Sequence, residues 1–236
     1  MQDRGAMQSQ EATQLLRSVA EQLKIPLATI ARQAELGQLT GVPEMVDLAA
    51  IRTHAAAALT LVDSYLLGLQ LMRGQATLLL EPVFVSSTLA EAAHELDSFA
   101  KQYGAKLELH VAGKYEPVMA HPSGLKSALL ALGFALLEGY PKRGGLLTLA
   151  VHRTPHGIVT GLYGDYERLN AQEWRKALTL QGSAPRPFGA LSGNSAGLFV
   201  AEAIFQAMST KLRVGIHRKQ QGLATTLQSS QQLSFV

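Results

Sequence analysis

With 236 residues, 47% hydrophobic and 17% charged, the chain can bury one large core or two small ones, and this composition excludes an intrinsically disordered protein. The absence of cysteine excludes disulfides and thiolate chemistry. A net charge of +3 without a dense basic patch argues against nucleic-acid binding. The basic side chains cluster only at Lys211, Arg213, Arg218 and Lys219. The sequence predicts neither a signal peptide nor a membrane span, so we expect a cytoplasmic protein.

Two amphipathic helices are predicted at the start of the chain. The first has apolar residues at alternating spacings of three and four, namely Leu16, Val19, Leu23, Pro26 and Ile30. The second repeats the pattern with Leu48, Ile51, Ala55, Ala58, Val62, Tyr65 and Leu69. Residues 37–43 contain two glycines and a proline and are expected to reverse the chain. We predict a homodimer in which two hairpins form a four-helix bundle; the alternative is a hairpin packed on its own chain.

A mixed pattern of helices and strands follows the hairpin. Strands are predicted at 78–85, 106–111, 118–120, 146–153, 158–163, 211–218 and 223–227, and helices at 88–103, 121–138, 171–180 and 197–208. The sequence from Thr88 to Glu91 has a capping-box pattern that is expected to open the first of these helices. Residues 181–195 are rich in Gly, Pro and Ser and are predicted to form a loop. We therefore divide the chain into a dimerisation hairpin, 10–73, and an α/β domain, 77–230.

One heptapeptide of the first helix indicates a known family. Glu21-Gln22-Leu23-Lys24-Ile25-Pro26-Leu27 resembles the phospho-acceptor segment of sensor histidine kinases, usually His-Glu-Leu-Arg-Thr-Pro-Leu. Glu21 stands at the position of the phosphorylated histidine. The order of elements after residue 77 is similar to the ATP-binding domain shared by histidine kinases, gyrase and Hsp90. The resemblance implies an α+β fold: a helical hairpin forming a dimeric four-helix bundle, followed by a histidine-kinase-type α/β sandwich.

The resemblance also implies a Mg²⁺ site on the long helix at 121–138, and its ligands are not found. The asparagines that hold Mg²⁺ in the family fall on Ala131 and Ala135. Mg²⁺ requires oxygen ligands, and an alanine side chain supplies none. Glu138 lies one turn further on, and its carboxylate is an alternative ligand that would compensate for the missing asparagines, but a solvated carboxylate at the helix end is the simpler interpretation.

The nucleotide-reading segments that the resemblance implies are kept only in part. The aspartate that reads adenine in the family falls on Gly164, with Asp165 one residue out of register. The glycines of that motif fall on Tyr166 and Arg168. The glycine motif that cradles phosphate at a helix N-terminus is partly preserved, at Gly193 and Gly197. Gly193, Gly197 and Asp165 are thus the candidate residues of a degenerate nucleotide site, and no cofactor is expected unless an atypical ATP and Mg²⁺ site exists.

His54 is the only histidine of the two predicted helices and is an alternative phospho-acceptor. It falls beside the apolar stripe of the second helix, where we expect it to be reachable by solvent. An ordinary boundary histidine is the competing interpretation. The predicted partner-binding surface consists of Glu21, Lys24, Thr53 and His54 on the outer side of the bundle.

The sequence therefore predicts a catalytically degenerate histidine-kinase-like signalling protein of a two-component pathway. Its expected partner is a response-regulator receiver domain or another histidine kinase. Three alternatives remain: an ATP-independent histidine phosphotransferase acting through His54, an active kinase with an atypical ATP site, and a dimerisation module. Enzymatic activity is left open. No metal site is predicted, because His152 and His156 are separated by a turn.

Overall fold

The fold is described from a computed structural model, in which residues 20, 23–24, 26–39, 47–138, 145–166 and 196–230 are described. The residues 26–39 form helix α1, and α2 spans Leu48–Met72. The elements that follow are β1 Glu81–Val83, α3 Val85–Gln102, β2 Lys106–Val111, β3 Val118–Ala120, α4 Pro122–Glu138, β4 Leu146–Thr154, β5 Gly157–Gly164, α5 Ala196–Ala207, β6 Arg213–His217 and β7 Gln220–Leu227. The predicted helix at 171–180 and loop at 181–195 lie outside the described residues.

A mixed five-stranded sheet with the order β2-β4-β5-β7-β6 carries the α/β region. Strand β2 runs parallel to β4, and the other neighbouring pairs are antiparallel. Strands β1 and β3 form a separate antiparallel pair. Helices α3, α4 and α5 cover one face of the large sheet. Alternate residues of its strands point to that face, among them Leu149, Leu162 and Leu223, and they form one buried core with residues of the three helices.

Most strand and helix positions predicted from the sequence are confirmed. Strands β2 and β3 have the predicted bounds, and α4 occupies the predicted segment from Pro122 to Glu138. His121 caps α4, since its Nδ1 accepts a hydrogen bond of 3.1 Å from the Gly124 backbone N–H. The predicted hairpin of β4 and β5 is present, with Leu149 opposite Leu162. These elements could be predicted because alternating polar and apolar residues, and the Pro and Gly residues beside them, are signals that depend only on the local sequence.

The capping-box prediction for α3 is wrong. The helix begins three residues earlier, at Val85, with Phe84 at its N-cap and no side-chain cap bond. Thr88 is only 6% exposed and lies inside the helix. Val85 and Leu89, one turn apart, are both buried in the core. Burial of this pair extends the helix toward its N-terminus and overrides the local capping signal.

The predicted turn between the first two helices begins too early. Helix α1 continues through Gly37 to residue 39, and α2 begins after Asp47, whose side chain accepts a hydrogen bond of 2.8 Å from the Ala50 backbone N–H. A helical glycine costs about 1 kcal/mol relative to alanine, which is too little to end a helix by itself. Asp47 is a side-chain N-cap, the type of residue that favours a helix start.

Helix α2 buries a different face from the predicted one. The buried residues are His54, Ala57, Ala58, Leu61, Ser64, Tyr65 and Gly68. Of the predicted stripe only Ala58 and Tyr65 are buried, whereas Leu48 is 71% exposed. The reason is that α2 packs against α5 and α4 of its own chain. The close approach is visible at Gly68, where an added Cβ would lie 2.9 Å from a side-chain methyl carbon of Val200.

Helix α2 also bears on the question of a membrane span. Within the described residues it is the one helix long and apolar enough to cross a membrane, by length and composition. This differs from the sequence-based expectation that no such segment exists. The core helix of a water-soluble protein passes the same test, and α2 buries one face against α4 and α5.

Candidate functional site

The predicted nucleotide-site residues of α4 and α5 meet at one helix crossing. Ala131 is fully buried and Ala135 is 4% exposed, both on the side of α4 that contacts α5. A Cβ added to Gly197, near the start of α5, would lie 2.6 Å from the Ala131 carbonyl oxygen and 3.0 Å from the Ala135 Cβ. Only glycine allows the two backbones to approach this closely. Gly197 therefore has a packing role that is independent of any phosphate, and Gly193 lies outside the described residues.

The end of β5 places Tyr166 against α4. This side chain is 3% exposed, and its hydroxyl donates a buried hydrogen bond of 3.1 Å to the Leu136 carbonyl oxygen. Leu136 lies in the last turn of α4, where carbonyl groups lack a partner within the helix. Tyr166 thus satisfies the end of α4 while it fills the space beside it. Asp165, the candidate adenine reader, is exposed, so the two neighbouring residues lie in opposite environments.

His54 is buried, contrary to the expectation that solvent reaches it. It is 6% exposed and belongs to the stripe of α2 that faces α4 and α5. Burial lowers the pKa of His54 below its ordinary value, and this effect exceeds the opposing influence of the Asp47 carboxylate. The cause of the difference is the rotation of the buried face of α2 relative to the predicted stripe.

The other residues of the predicted partner surface have mixed exposure. Lys24 is exposed, and Thr53 is half-buried on α2. Glu21 lies outside the described residues, as does Arg168. The Glu138 side chain, considered above as a compensating carboxylate, also lies outside the described part of the chain.

A cluster of histidines that was not predicted from the sequence lies on the sheet face that the helices leave uncovered. His110 of β2 and His217 of β6 lie 3.2 Å apart, from Nδ1 to Nε2. The His217 ring stacks on that of His152 from β4, with 5.5 Å between their centroids, and lies 5.2 Å from that of Tyr163. His110 is paired with Ala150, and alternation along β4 places His152 on the same face as Ala150. That the two histidines share a face therefore follows from the register of β2 and β4, which the sequence alone does not give. In the described part of the chain, no three potential ligands form a group that could hold a metal ion.

Comparisons with known proteins identify the fold. No protein-family model matches the chain, and no curated protein matches it in sequence. Among solved structures, the chain is similar to the Acinetobacter baumannii histidine kinase AdeS, with a TM-score of 0.52, 14% identity, and coverage of 88% of this chain and 97% of that one. It is similar to a bacterial phosphotransferase, with a TM-score of 0.52, 14% identity, and coverage of 91% and 94%.

A third similar structure is the catalytic domain of the histidine kinase ThkA, with a TM-score of 0.51 and 9% identity. That match covers 64% of this chain and 97% of that domain. Identities this low establish the fold and leave the chemistry to the site residues. Together with the mixed sheet and the helices on one of its faces, these similarities show that the chain has the fold of the sensor histidine kinases.

Proposed function

We propose that this chain is a catalytically degenerate histidine-kinase-like protein that signals by binding another protein of a two-component pathway. The observation that carries the proposal is the direct packing of Gly197 on Ala131 and Ala135, at the positions where the family holds Mg²⁺ and phosphate. Alanine offers no oxygen ligand to Mg²⁺. These residues therefore do not fit an ATP and Mg²⁺ site, and we expect no nucleotide cofactor.

Tyr166 supports the same proposal from the C-terminal end of α4, at Leu136, one residue beyond Ala135. It stands at a glycine position of the family's adenine-reading segment, where a bulky side chain replaces an open turn. Its ring is buried, and its hydroxyl is bonded to the Leu136 carbonyl oxygen. Admitting adenine beside this segment would require that buried bond to break, at a net cost of about 1 kcal/mol, and the ring to leave the core. Asp165, which could have read the adenine amino group, is exposed.

The phosphotransferase alternative is disfavoured by the position of His54. A phosphoryl acceptor must be reached by the aspartyl phosphate of a partner domain, and His54 is 6% exposed. In the alternative, a phosphorylated receiver domain labels this chain, and His54→Ala abolishes the label. Under our proposal no label appears on the wild-type chain.

A homodimer is part of the proposal, with α2 contributing to the interface. The face of α2 opposite its buried stripe exposes large apolar residues, among them Leu48, Leu59 and Leu66 at 71%, 65% and 51%. Such a row on one helix is an interaction surface rather than a solvated face. A second copy of the chain, packed through α1 and α2 as a four-helix bundle, would cover it. A cytoplasmic location follows from the expected partners.

Binding to purified receiver domains tests the proposed function. We expect saturable binding that needs neither ATP nor Mg²⁺ and that weakens at least tenfold on charge reversal of the exposed Lys24, in Lys24→Glu. The matched control is Lys101→Glu on α3, an exposed lysine paired to Asp97, which should leave the affinity unchanged. Incorporation of phosphate from ATP into the wild-type chain, abolished in a heat-unfolded sample, would contradict the proposal.

A further inference from the structure

The tip of the β6–β7 hairpin folds across the uncovered face of the sheet. Thr148 Oγ1 of β4 donates a hydrogen bond of 2.7 Å to Gln220 Oε1, and Gln220 Nε2 donates one of 3.3 Å to the Leu146 carbonyl oxygen. In the sheet, β5 lies between β4 and β7. The hairpin tip, residues 217–220, therefore reaches over β5 and contacts β4 from above.

Glycines make room for this closure over Tyr163. An added Cβ at Gly215 of β6 would lie 3.5 Å from the Tyr163 ring, and Gly222 of β7 is paired directly with Tyr163. Tyr163 is 1% exposed although it faces away from the helices. Burial raises the pKa of Tyr163 to about 12, so its phenol stays neutral at physiological pH.

The hydrogen bonds at the tip require a neutral His217. The Arg218 guanidinium can only donate, and it lies 2.8 Å from His110 Nε2. His110 therefore accepts at Nε2 and carries its proton on Nδ1, which donates across 3.2 Å to His217 Nε2. A second proton on His217, at Nε2, would face the His110 N–H and break this hydrogen bond. The proton on His110 Nδ1 also prevents that nitrogen from binding a metal.

His152 completes the cluster beneath the tip. Its ring is stacked on His217, and its Nδ1 is buried without a hydrogen-bond partner. Burial lowers the pKa of His152. The pKa of His217 is also lowered, first by burial and then by the charges that His152, His110 and Arg218 would carry. Both shifts agree with a closed tip that excludes protons.

We propose that His152 and His217 form a pH-sensitive latch that holds the β6–β7 tip over Tyr163 while both are neutral. Protonation of His217 breaks its hydrogen bond with His110, and the charges on the two stacked rings and on Arg218 then repel one another. The tip then lifts and uncovers the apolar patch formed by Tyr163 with Ala150 and Ala224.

Other charged groups on this side of the sheet are placed to modulate the latch. Alternation puts Lys106 and Glu108 on the same face of β2 as His110, and Arg213 on the same face of β6 as His217. Lys219 lies within the tip, and all four of these side chains are exposed. Three of the four are cations, so the surrounding field opposes rather than favours protonation of the latch at neutral pH.

The turn itself favours opening once the bonds are lost. Arg218 and Lys219 have φ angles of 46° and 72°, a left-handed conformation that non-glycine residues adopt at a cost. Two such residues in a two-residue hairpin loop are normally Asn-Gly or similar sequences. The contacts of the tip with β2 and β4 hold this unfavourable turn in place.

Amide hydrogen exchange of the hairpin tests the latch. Exchange rates of residues 214–223 are divided by the intrinsic rate at each pH, and core amides of α4 serve as the internal reference for global unfolding. Suppose that an imidazole must stay neutral while the latch is closed and has a pKa near 6.5 when the latch is open. Its protonation in the open state then raises the equilibrium constant for opening by at most about tenfold at pH 5.5. For His217 and His152 together, protection of the tip should fall by up to about a hundredfold between pH 7.5 and 5.5, with α4 protected throughout.

Three variants assign the effect. His217→Gln and His152→Gln, which cannot be protonated, should each reduce the pH dependence by up to about tenfold. His156→Gln, an exposed histidine in the β4–β5 turn, should keep the full dependence. The latch is refuted if tip protection changes less than twofold between the two pH values, or if both latch variants retain the wild-type dependence. The test is independent of partner binding and of nucleotide, so its outcome does not depend on the proposed function.

Discussion

Truncation of Tyr166 to alanine is expected to destabilise the protein strongly. The ring is 3% exposed and packs at the end of α4, and removing a buried aromatic side chain costs about 3–5 kcal/mol. About 1 kcal/mol of this cost comes from the hydrogen bond to the Leu136 carbonyl oxygen. Tyr166→Phe removes only this hydrogen bond and keeps the ring. We therefore expect losses of about 4 kcal/mol for the alanine variant and about 1 kcal/mol for the phenylalanine variant.

Urea unfolding followed by circular dichroism measures both losses, and Asp165→Ala is the matched control. Asp165 neighbours Tyr166 in the chain but is exposed, so its loss should stay within about 0.5 kcal/mol. If Tyr166→Ala and Asp165→Ala have the same unfolding midpoint, Tyr166 is not buried against α4. The space that we assign to its ring would then be open, and the ring would not block adenine.

Three further outcomes are expected. Gly197→Ala should lower the unfolding free energy by about 1–3 kcal/mol, because its methyl group would overlap the Ala131 carbonyl oxygen; an unchanged urea midpoint would refute this close helix contact. Lys219→Gly should raise stability by about 1 kcal/mol, because glycine adopts the observed φ of 72° without strain; a lower midpoint would show that the side chain matters more than the turn. Burial lowers the pKa of His54, so its contribution to stability at pH 7.5 is lost as the pH falls below about 6.5. His54→Gln should therefore reduce the decrease in unfolding free energy between pH 7.5 and 5.5. The same decrease in the variant and the wild type would contradict this effect of His54.

Strands and the long helix α4 could be predicted because their signals are local. Alternation marks β2 as a strand, and the His121-Pro122-Ser123 sequence marks the start of α4. The buried face of α2 could not be predicted in the same way. The helix is apolar on several sides: Leu59 and Leu61, two positions apart, lie on nearly opposite faces, so the apolar pattern alone does not decide which face is buried. The partner decides which side is buried, and here the partner is the chain's own α4 and α5.

The candidate site, too, could be predicted only in part. The positions of Ala131, Ala135 and Tyr166 relative to the family pattern could be read from the sequence, but their packing could not. That Gly197 seats directly on α4 depends on how two helices cross, which involves residues about 60 positions apart. The histidine cluster depends on strand order, on register and on the reach of the β6–β7 tip. None of these three is encoded in the spacing of the histidines along the chain.

Calorimetric titration of the folded protein with a non-hydrolysable ATP analogue and Mg²⁺ tests the central proposal most directly. Alanines at the Mg²⁺ positions, with Gly197 packed on them and Tyr166 buried beside α4, predict no saturable heat at millimolar analogue. Saturable binding in the micromolar range that requires Mg²⁺ would contradict the proposal and would support the alternative of an active kinase with an atypical ATP site.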